Sequence, residues 1–236
     1  MIIPTFLMLL PLSLAIPSPK PSLPTRTIAG VTVLDTPLIR SAESYMKSVS
    51  PPILYNHVMR SWLFATLMVS HNATLSRLID PEVQAISILL HDLGFDRDPH
   101  SKIVSPDRRF EVDGAIAARD FLSREADGKK WDKHRVQLVW DAIALHTEAK
   151  YAFYKEPDVQ TVAKGIMMDF VGPGPEGVTK EEYEAVVKVF PQTGLRENVG
   201  ETFAWLCRTK PVSTYGQSFS FPFSWLLFTR MELTMS

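Results

Sequence analysis

An imidazole and a carboxylate stand side by side at His91 and Asp92, directly after an apolar run. Six of the eight residues before His91 are apolar, which is typical of a buried helix, and Pro81 after Asp80 is typical of a helix start. Burying both polar groups without partners would cost free energy. Because a divalent metal ion satisfies both groups at once, the sequence predicts a metal-ligating pair at the buried end of this helix.

Three further polar side chains fall on apolar faces of other predicted helices. His57 and His146 align with apolar residues at helical spacing, and Asp169 lies three residues after Ile166 and seven after Val162. A lone histidine in such a place is commonly a core residue bonded to a backbone carbonyl, whereas a buried carboxylate needs a cation or several donors. Together with the adjacent pair, these side chains predict one polar cluster inside the protein.

The elements that would position this cluster are helices. Apolar periodicity predicts eight of them, separated by short loops rich in Pro, Gly and Asp, after a segment over 26–34 that could pair as strands. The predicted helices cover residues 37–49, 53–70, 81–92, 110–126, 132–147, 157–171, 179–188 and 198–208. The expected fold class is all-α, a helical bundle with a short irregular N-terminal segment.

Composition restricts the partners and the ligand types. The chain has 236 residues, of which 45% are hydrophobic, and this suffices for one domain with a well-packed core. The net charge of −1 gives no electrostatic reason to expect nucleic acid or an acidic membrane surface as a partner. The single cysteine, Cys207, excludes an intrachain disulfide and a cysteine-based zinc site, so His, Asp and Glu must supply any ligands.

The first 24 residues are expected to lie outside the domain as an apolar leader and a Pro-rich linker. Residues 2–16 are almost wholly apolar, with Ser13 and Ala15 at the −3 and −1 positions of a signal-peptidase site. The stretch is too short and too rich in proline for a membrane span. No Lys or Arg precedes it, so two interpretations stay open: a secretory signal peptide, or a cytoplasmic protein with an apolar leader.

In their order along the chain, His57, the pair His91-Asp92 and Asp169 resemble the ligand set of the HD-domain superfamily of metal-dependent hydrolases and lyases. In that superfamily the first His, the His-Asp pair and the last Asp ligate one metal ion inside a helical bundle. The resemblance implies that His57, His91, Asp92 and Asp169 hold one divalent ion, with zinc favoured and iron, manganese or nickel as alternatives.

Flanking motifs are similar to those of the cyanamide hydratase-like branch of this superfamily. They lie at residues 109–115, 144–147 and 168–172, followed by Phe190-Pro191 and residues 210–215. The similarity covers about residues 35–215, the expected HD domain, and residues 216–236 do not continue it and are expected to form a divergent tail. The resemblance implies hydration of a small nitrile-like substrate by hydroxide generated at the metal.

One position departs from the dinuclear members of the family. Those members supply an additional histidine where this chain carries Glu111. The departure favours a mononuclear site and makes Glu111 and His146 the candidate catalytic residues, which would carry protons from outside the ligand shell. An equally weighted interpretation of Glu111 is a carboxylate that complements the dipole at the start of its helix.

Two other functions remain as alternatives to hydration. Hydrolysis of a phosphate ester or nucleotide would need cations near the metal, and several basic residues precede Glu111, although they could equally belong to a solvated loop. These basic residues are Arg97, His100, Lys102, Arg108 and Arg109. A non-enzymatic binding module is disfavoured because no ligand position is missing. A small neutral nitrile requires an apolar pocket, whereas a nucleotide requires a wide basic one.

The leader hypothesis predicts a processed and glycosylated product. If residues 2–15 form a signal peptide, the secreted protein should begin near Ile16 and carry sugar on Asn72 of the sequon Asn72-Ala73-Thr74. N-terminal sequencing and intact mass before and after glycosidase treatment would measure both. An intact N-terminus on unglycosylated cytoplasmic protein would contradict the signal-peptide interpretation.

Overall fold

The computed structural model describes residues 23–214, so most of the predicted leader and the whole predicted tail, 216–236, lie outside the described residues. Within that range the predicted all-α class is confirmed, with eleven α-helices and one two-stranded sheet. None of the described helices is long and apolar enough to cross a membrane. The elements are β1 Thr25–Ile28, β2 Val31–Leu34, α1 Pro37–Val49, α2 Pro52–Ser70, α3 Leu75–Leu78, α4 Pro81–Leu90, α5 Phe110–Arg124, α6 Lys133–Leu145, α7 Ala149–Ala152, α8 Pro157–Val171, α9 Lys180–Val189, α10 Leu195–Thr209 and α11 Pro211–Thr214.

The strands predicted near the N-terminus form an antiparallel hairpin. Ile28 of β1 stands opposite Val31 of β2, and Ala29 and Gly30 make the turn with φ angles of 50° and 83°. Positive φ at both central residues suits a two-residue hairpin turn. Val31 and Val33 are buried in the common core, so the hairpin packs against the helices.

Helix α2 runs through the centre of the fold and packs along α8. At the crossing, a Cβ atom on Gly165 of α8 would lie 2.6 Å from the Cβ of Ala65 and 2.9 Å from the carbonyl oxygen of Ser61. Only a residue without a side chain allows this approach. The close crossing brings His57 of α2 next to Asp169 of α8.

Helix α4 carries the adjacent His-Asp pair at its C-terminal end. Its predicted start is confirmed, because the Asp80 side chain accepts hydrogen bonds from two backbone N–H groups of the first turn. The helix ends at Leu90 rather than at the predicted residue 92. The chain then passes tightly against the start of α5, where a Cβ on Gly94 would lie 2.0 Å from the Phe110 carbonyl oxygen.

Three of the helices, α3, α7 and α11, were not predicted. Each has only four residues, which is too short for a periodic apolar pattern. The loop between α2 and α3 contains the sequon, where Asn72 is exposed and its Oδ1 accepts hydrogen bonds from the backbone N–H groups of Thr74 and Leu75. The sequon therefore lies in a turn and not inside a helix.

The crossing of α2 and α8 predicts a specific stability effect. Gly165→Ala should lower the free energy of unfolding by about 1–3 kcal/mol, since the added methyl group meets backbone and side-chain atoms of α2. Gly200→Ala is the matched control, because nothing lies within 4 Å of its Cβ position in α10, and it should be neutral or stabilising by up to about 1 kcal/mol. Urea denaturation of both variants measures the difference. Equal effects would contradict the close crossing.

Candidate metal centre and substrate pocket

The side chains of His57, His91 and Asp92 meet in the buried space between α2 and the end of α4. Each offers one ligand atom, and these atoms lie within 4.8 Å of one another. The Nε2 atoms of the two histidines are 3.3 Å apart, and Asp92 Oδ2 lies 3.1 Å from Nε2 of His91 and 3.7 Å from Nε2 of His57. Two nitrogens bound to one tetrahedral zinc ion at about 2.1 Å would be separated by about 3.4 Å. The spacing therefore fits a divalent ion.

Hydrogen bonds at the far side of each ring fix which nitrogen faces the cluster. Nδ1 of His91 lies 2.7 Å from the carbonyl oxygen of Ile88, and Nδ1 of His57 lies 2.6 Å from Oδ2 of Asp169. Because both acceptors require a proton on Nδ1, Nε2 is the atom that each ring presents to the shared space. In the neutral rings the two Nε2 lone pairs face each other at 3.3 Å and repel unless a proton or a metal ion lies between them, so the pair suits binding of a cation.

The electrostatics of the cluster also favour a cation. Burial raises the pKa of Asp92, but the neighbouring His91, with His57 and His146, outweighs burial and lowers that pKa to about 2. Burial lowers the pKa of His91, but Asp92 outweighs burial and raises it overall. The carboxylate is thus ionised and attracts positive charge at a buried position.

His146 stands beside this cluster, after the last turn of α6. Its Nδ1 lies 2.7 Å from the carbonyl oxygen of Ile143, and its Nε2 lies 3.8 Å from Oδ1 of Asp92. Burial, with a further contribution from His91, lowers the pKa of His146 to about 4. The ring is therefore neutral near pH 7, and its Nε2 is an acceptor.

Asp169 contacts the opposite side of His57 from the ligand atoms. Besides the histidine, its carboxylate accepts hydrogen bonds from Nε and Nη2 of Arg60 at 2.6 and 2.7 Å, and from Nε2 of Gln192 at 2.7 Å. Burial raises the pKa of Asp169, yet the donors on His57 and Arg60 lower it to about 2. The predicted ligation of a metal by Asp169 stays a prediction.

Arg60 and Gln192 were not singled out from the sequence. Arg60 follows His57 by one helical turn inside an otherwise apolar helix and is completely buried. A charged residue at such a position requires an anionic partner, so this signal could have identified it. Gln192 lies in the loop after α9, where no periodic pattern indicates which way a side chain faces.

Glu111 lies in the first turn of α5 and is buried, but it does not line the cavity described below. Its Oε1 accepts hydrogen bonds from the hydroxyl of Thr147 and from Nη2 of Arg109, both at 2.5 Å. The Arg109 guanidinium also lies 3.5 Å from Oε1 of Glu148. Burial raises the pKa of the Glu148 carboxyl group. Glu111 is thus connected to the cavity through Thr147, which does line it.

An apolar cavity opens over the donor cluster. Phe95 and Phe110 stack in its wall with ring centroids 4.1 Å apart, and Phe203 of α10 meets both rings edge-on. Among the described residues, no Lys or Arg belongs to the lining. The lining consists of His57, His91, Asp92, Phe95, Phe110, His146, Thr147, Ala149, Phe153, Ala163, Ile166, Met167, Phe170, Val199 and Phe203.

Comparison with known proteins supports the same family. The model of the HD domain family matches residues 54–181, which is more than half of the chain and includes every residue of the donor cluster. No curated protein matches the chain. The chain therefore belongs to the HD domain family, whose members are generally metal-dependent hydrolases.

Proposed function

We propose that the protein hydrates a small neutral nitrile-like substrate, of which cyanamide is the model, at one divalent metal ion. The observation that carries this proposal is the lining of the cavity over the donor cluster. Apart from the cluster itself, His146 and Thr147, this lining is aromatic and aliphatic, and it holds no Lys or Arg among the described residues. A small uncharged molecule loses little on entering such a space, whereas a phosphate dianion needs fixed positive charge around it.

The basic residues that could serve a phosphate ester are engaged elsewhere or stand outside the lining. Arg97 donates to Thr202 of α10, and Arg108 donates from Nε to Oδ1 of Asp113 at 2.9 Å. Arg109 donates hydrogen bonds from its guanidinium to the carboxylate of Glu111. His100 and Lys102 do not line the cavity. This distribution supports the neutral substrate over the phosphohydrolase alternative.

His57, His91 and Asp92 would hold the ion, and the family resemblance implies Asp169 as a further ligand. When bound, the ion would lower the pKa of a water towards about 7, so that hydroxide is available at neutral pH. Hydration would form a bond between the water oxygen and the nitrile carbon. The water would lose one proton, and the nitrile nitrogen would take up one as one of its bonds to carbon breaks. The chain must therefore accept one proton and deliver another.

His146 and Thr147 are the cavity-lining residues best placed for these proton movements. The Nε2 atom of His146 is an unprotonated acceptor beside Asp92, and it suits removal of a proton from water. After taking a proton from water, His146 can return it to the nitrile nitrogen. The hydroxyl of Thr147 donates to Glu111 and lines the cavity, so its oxygen can accept a hydrogen bond from the substrate amino group. Glu111, one of the two predicted catalytic residues, would then act through Thr147.

Metal content gives the first test of the proposal. The purified protein should hold one divalent ion per chain, and His91→Ala should lose it because Nε2 of His91 is central to the donor cluster. His100→Ala is the matched control, since His100 is exposed and lies outside the cluster. Elemental analysis of the dialysed proteins measures the ion content. Full occupancy in His91→Ala would contradict the site, and two ions per chain would make His146 a ligand.

Activity on two substrate classes gives the second test. Wild type should hydrate cyanamide, and Glu111→Gln and Thr147→Val should both lower kcat by about 10²–10⁴-fold with metal content unchanged. Both variants remove part of one hydrogen-bonded path, so their effects should be similar. Turnover of phosphomonoesters or nucleotides above that of cyanamide would contradict the proposal.

The control for this second test is Arg108→Ala. Arg108 lies outside the cavity lining, so cyanamide hydration should change little. A marked rise in KM for anionic substrates in this variant would instead favour the phosphohydrolase alternative, because that reaction requires cations around the substrate.

A further inference from the structure

We infer that Asp169 is a positioning residue that holds His57 from outside the ligand shell, and that Arg60 holds Asp169 in this role. The inference rests on the metal site of the proposed function and departs from the ligand role that the family resemblance implies for Asp169. Three observations carry it: the hydrogen-bonding capacity of the carboxylate, its direction relative to His57, and the burial of Arg60.

The carboxylate of Asp169 has no acceptor position left for a metal ion. Its Oδ1 accepts from Nε of Arg60 at 2.6 Å and from Nε2 of Gln192 at 2.7 Å. Its Oδ2 accepts from Nδ1 of His57 at 2.6 Å and from Nη2 of Arg60 at 2.7 Å. A carboxylate offers about four lone-pair sites, and four donors occupy them here. Ligation by Asp169 would require breaking at least one buried charge-assisted hydrogen bond.

The direction of the contact assigns the role. Asp169 meets Nδ1 of His57, whereas Nε2 of the same ring faces His91 and Asp92. In addition, Asp169 is absent from the lining of the cavity to which His57, His91 and Asp92 all contribute. A carboxylate that accepts the Nδ1 proton keeps the imidazole in one tautomer and orientation and raises the basicity of Nε2.

Arg60, which holds Asp169, is itself held by further hydrogen bonds. Arg60 is 0% exposed, and its Nη1 donates to the carbonyl oxygens of Phe190 and Pro191 at 2.9 and 2.8 Å. Gln192 also donates to the backbone oxygen of Asp169. The guanidinium of Arg60 therefore bridges the Asp169 carboxylate and the chain after α9. If Asp169 turned towards the ligand atoms, this buried guanidinium would lose its counterion.

Metal affinity separates this role from ligation. In Asp169→Asn the affinity for zinc should fall by about 10–100-fold, as is typical for loss of an outer-shell partner, while one ion per chain still binds. In Asp92→Asn, the ligand control, stoichiometric binding should be lost. Competition with a chromophoric chelator measures both. The absorption spectrum of the cobalt-loaded protein, which reports coordination number and geometry, should be preserved in Asp169→Asn.

A second variant guards against misfolding. Asp169→Asn leaves Arg60 charged and unpaired, so the double variant Arg60→Gln/Asp169→Asn removes both buried charges together. Retention of one zinc ion and of the cobalt spectrum in the folded double variant supports the inference. Loss of zinc in both folded variants to the extent seen in Asp92→Asn overturns it and makes Asp169 a ligand. If wild type itself binds no divalent ion, the metal site of the proposed function fails instead.

Discussion

The architecture depends on one constraint: two imidazoles and a carboxylate converge at buried positions on packed helices. Such a group is costly to bury unless its outward-facing atoms are satisfied and its ligand atoms share a cation. The surrounding structure meets the first requirement residue by residue. The Ile88 carbonyl holds His91, Asp169 holds His57, and the close crossing at Gly165 brings the helices together.

The same arrangement produces a marked asymmetry of charge around the donor cluster. On the Nδ1 side of His57, a buried ion pair between Arg60 and Asp169 closes the site. On the open side, phenylalanines cover the cluster, and Thr147 and His146 provide polar groups at the cavity wall. Apolar walls strengthen the field of any bound cation, and they discriminate against substrates that bring a large charge of their own.

Much of this could be predicted from the sequence because helical periodicity states which residues face inward. Five polar residues are predicted to face inward, and all five are buried: His57, His91, Asp92, His146 and Asp169. Periodicity does not state which atom of a side chain meets which neighbour. The side of His57 that Asp169 contacts, and the position of Glu111 behind Thr147, depend on tertiary packing. Single-turn helices such as α7 leave no periodic signal.

The most direct test of the central claim is anomalous diffraction from crystals of the zinc-loaded protein, recorded on both sides of the zinc absorption edge. One anomalous peak per chain is expected within bonding distance of Nε2 of His57, Nε2 of His91 and the carboxylate of Asp92. A peak at any other group of side chains, or no peak at the donor cluster, would contradict this metal site.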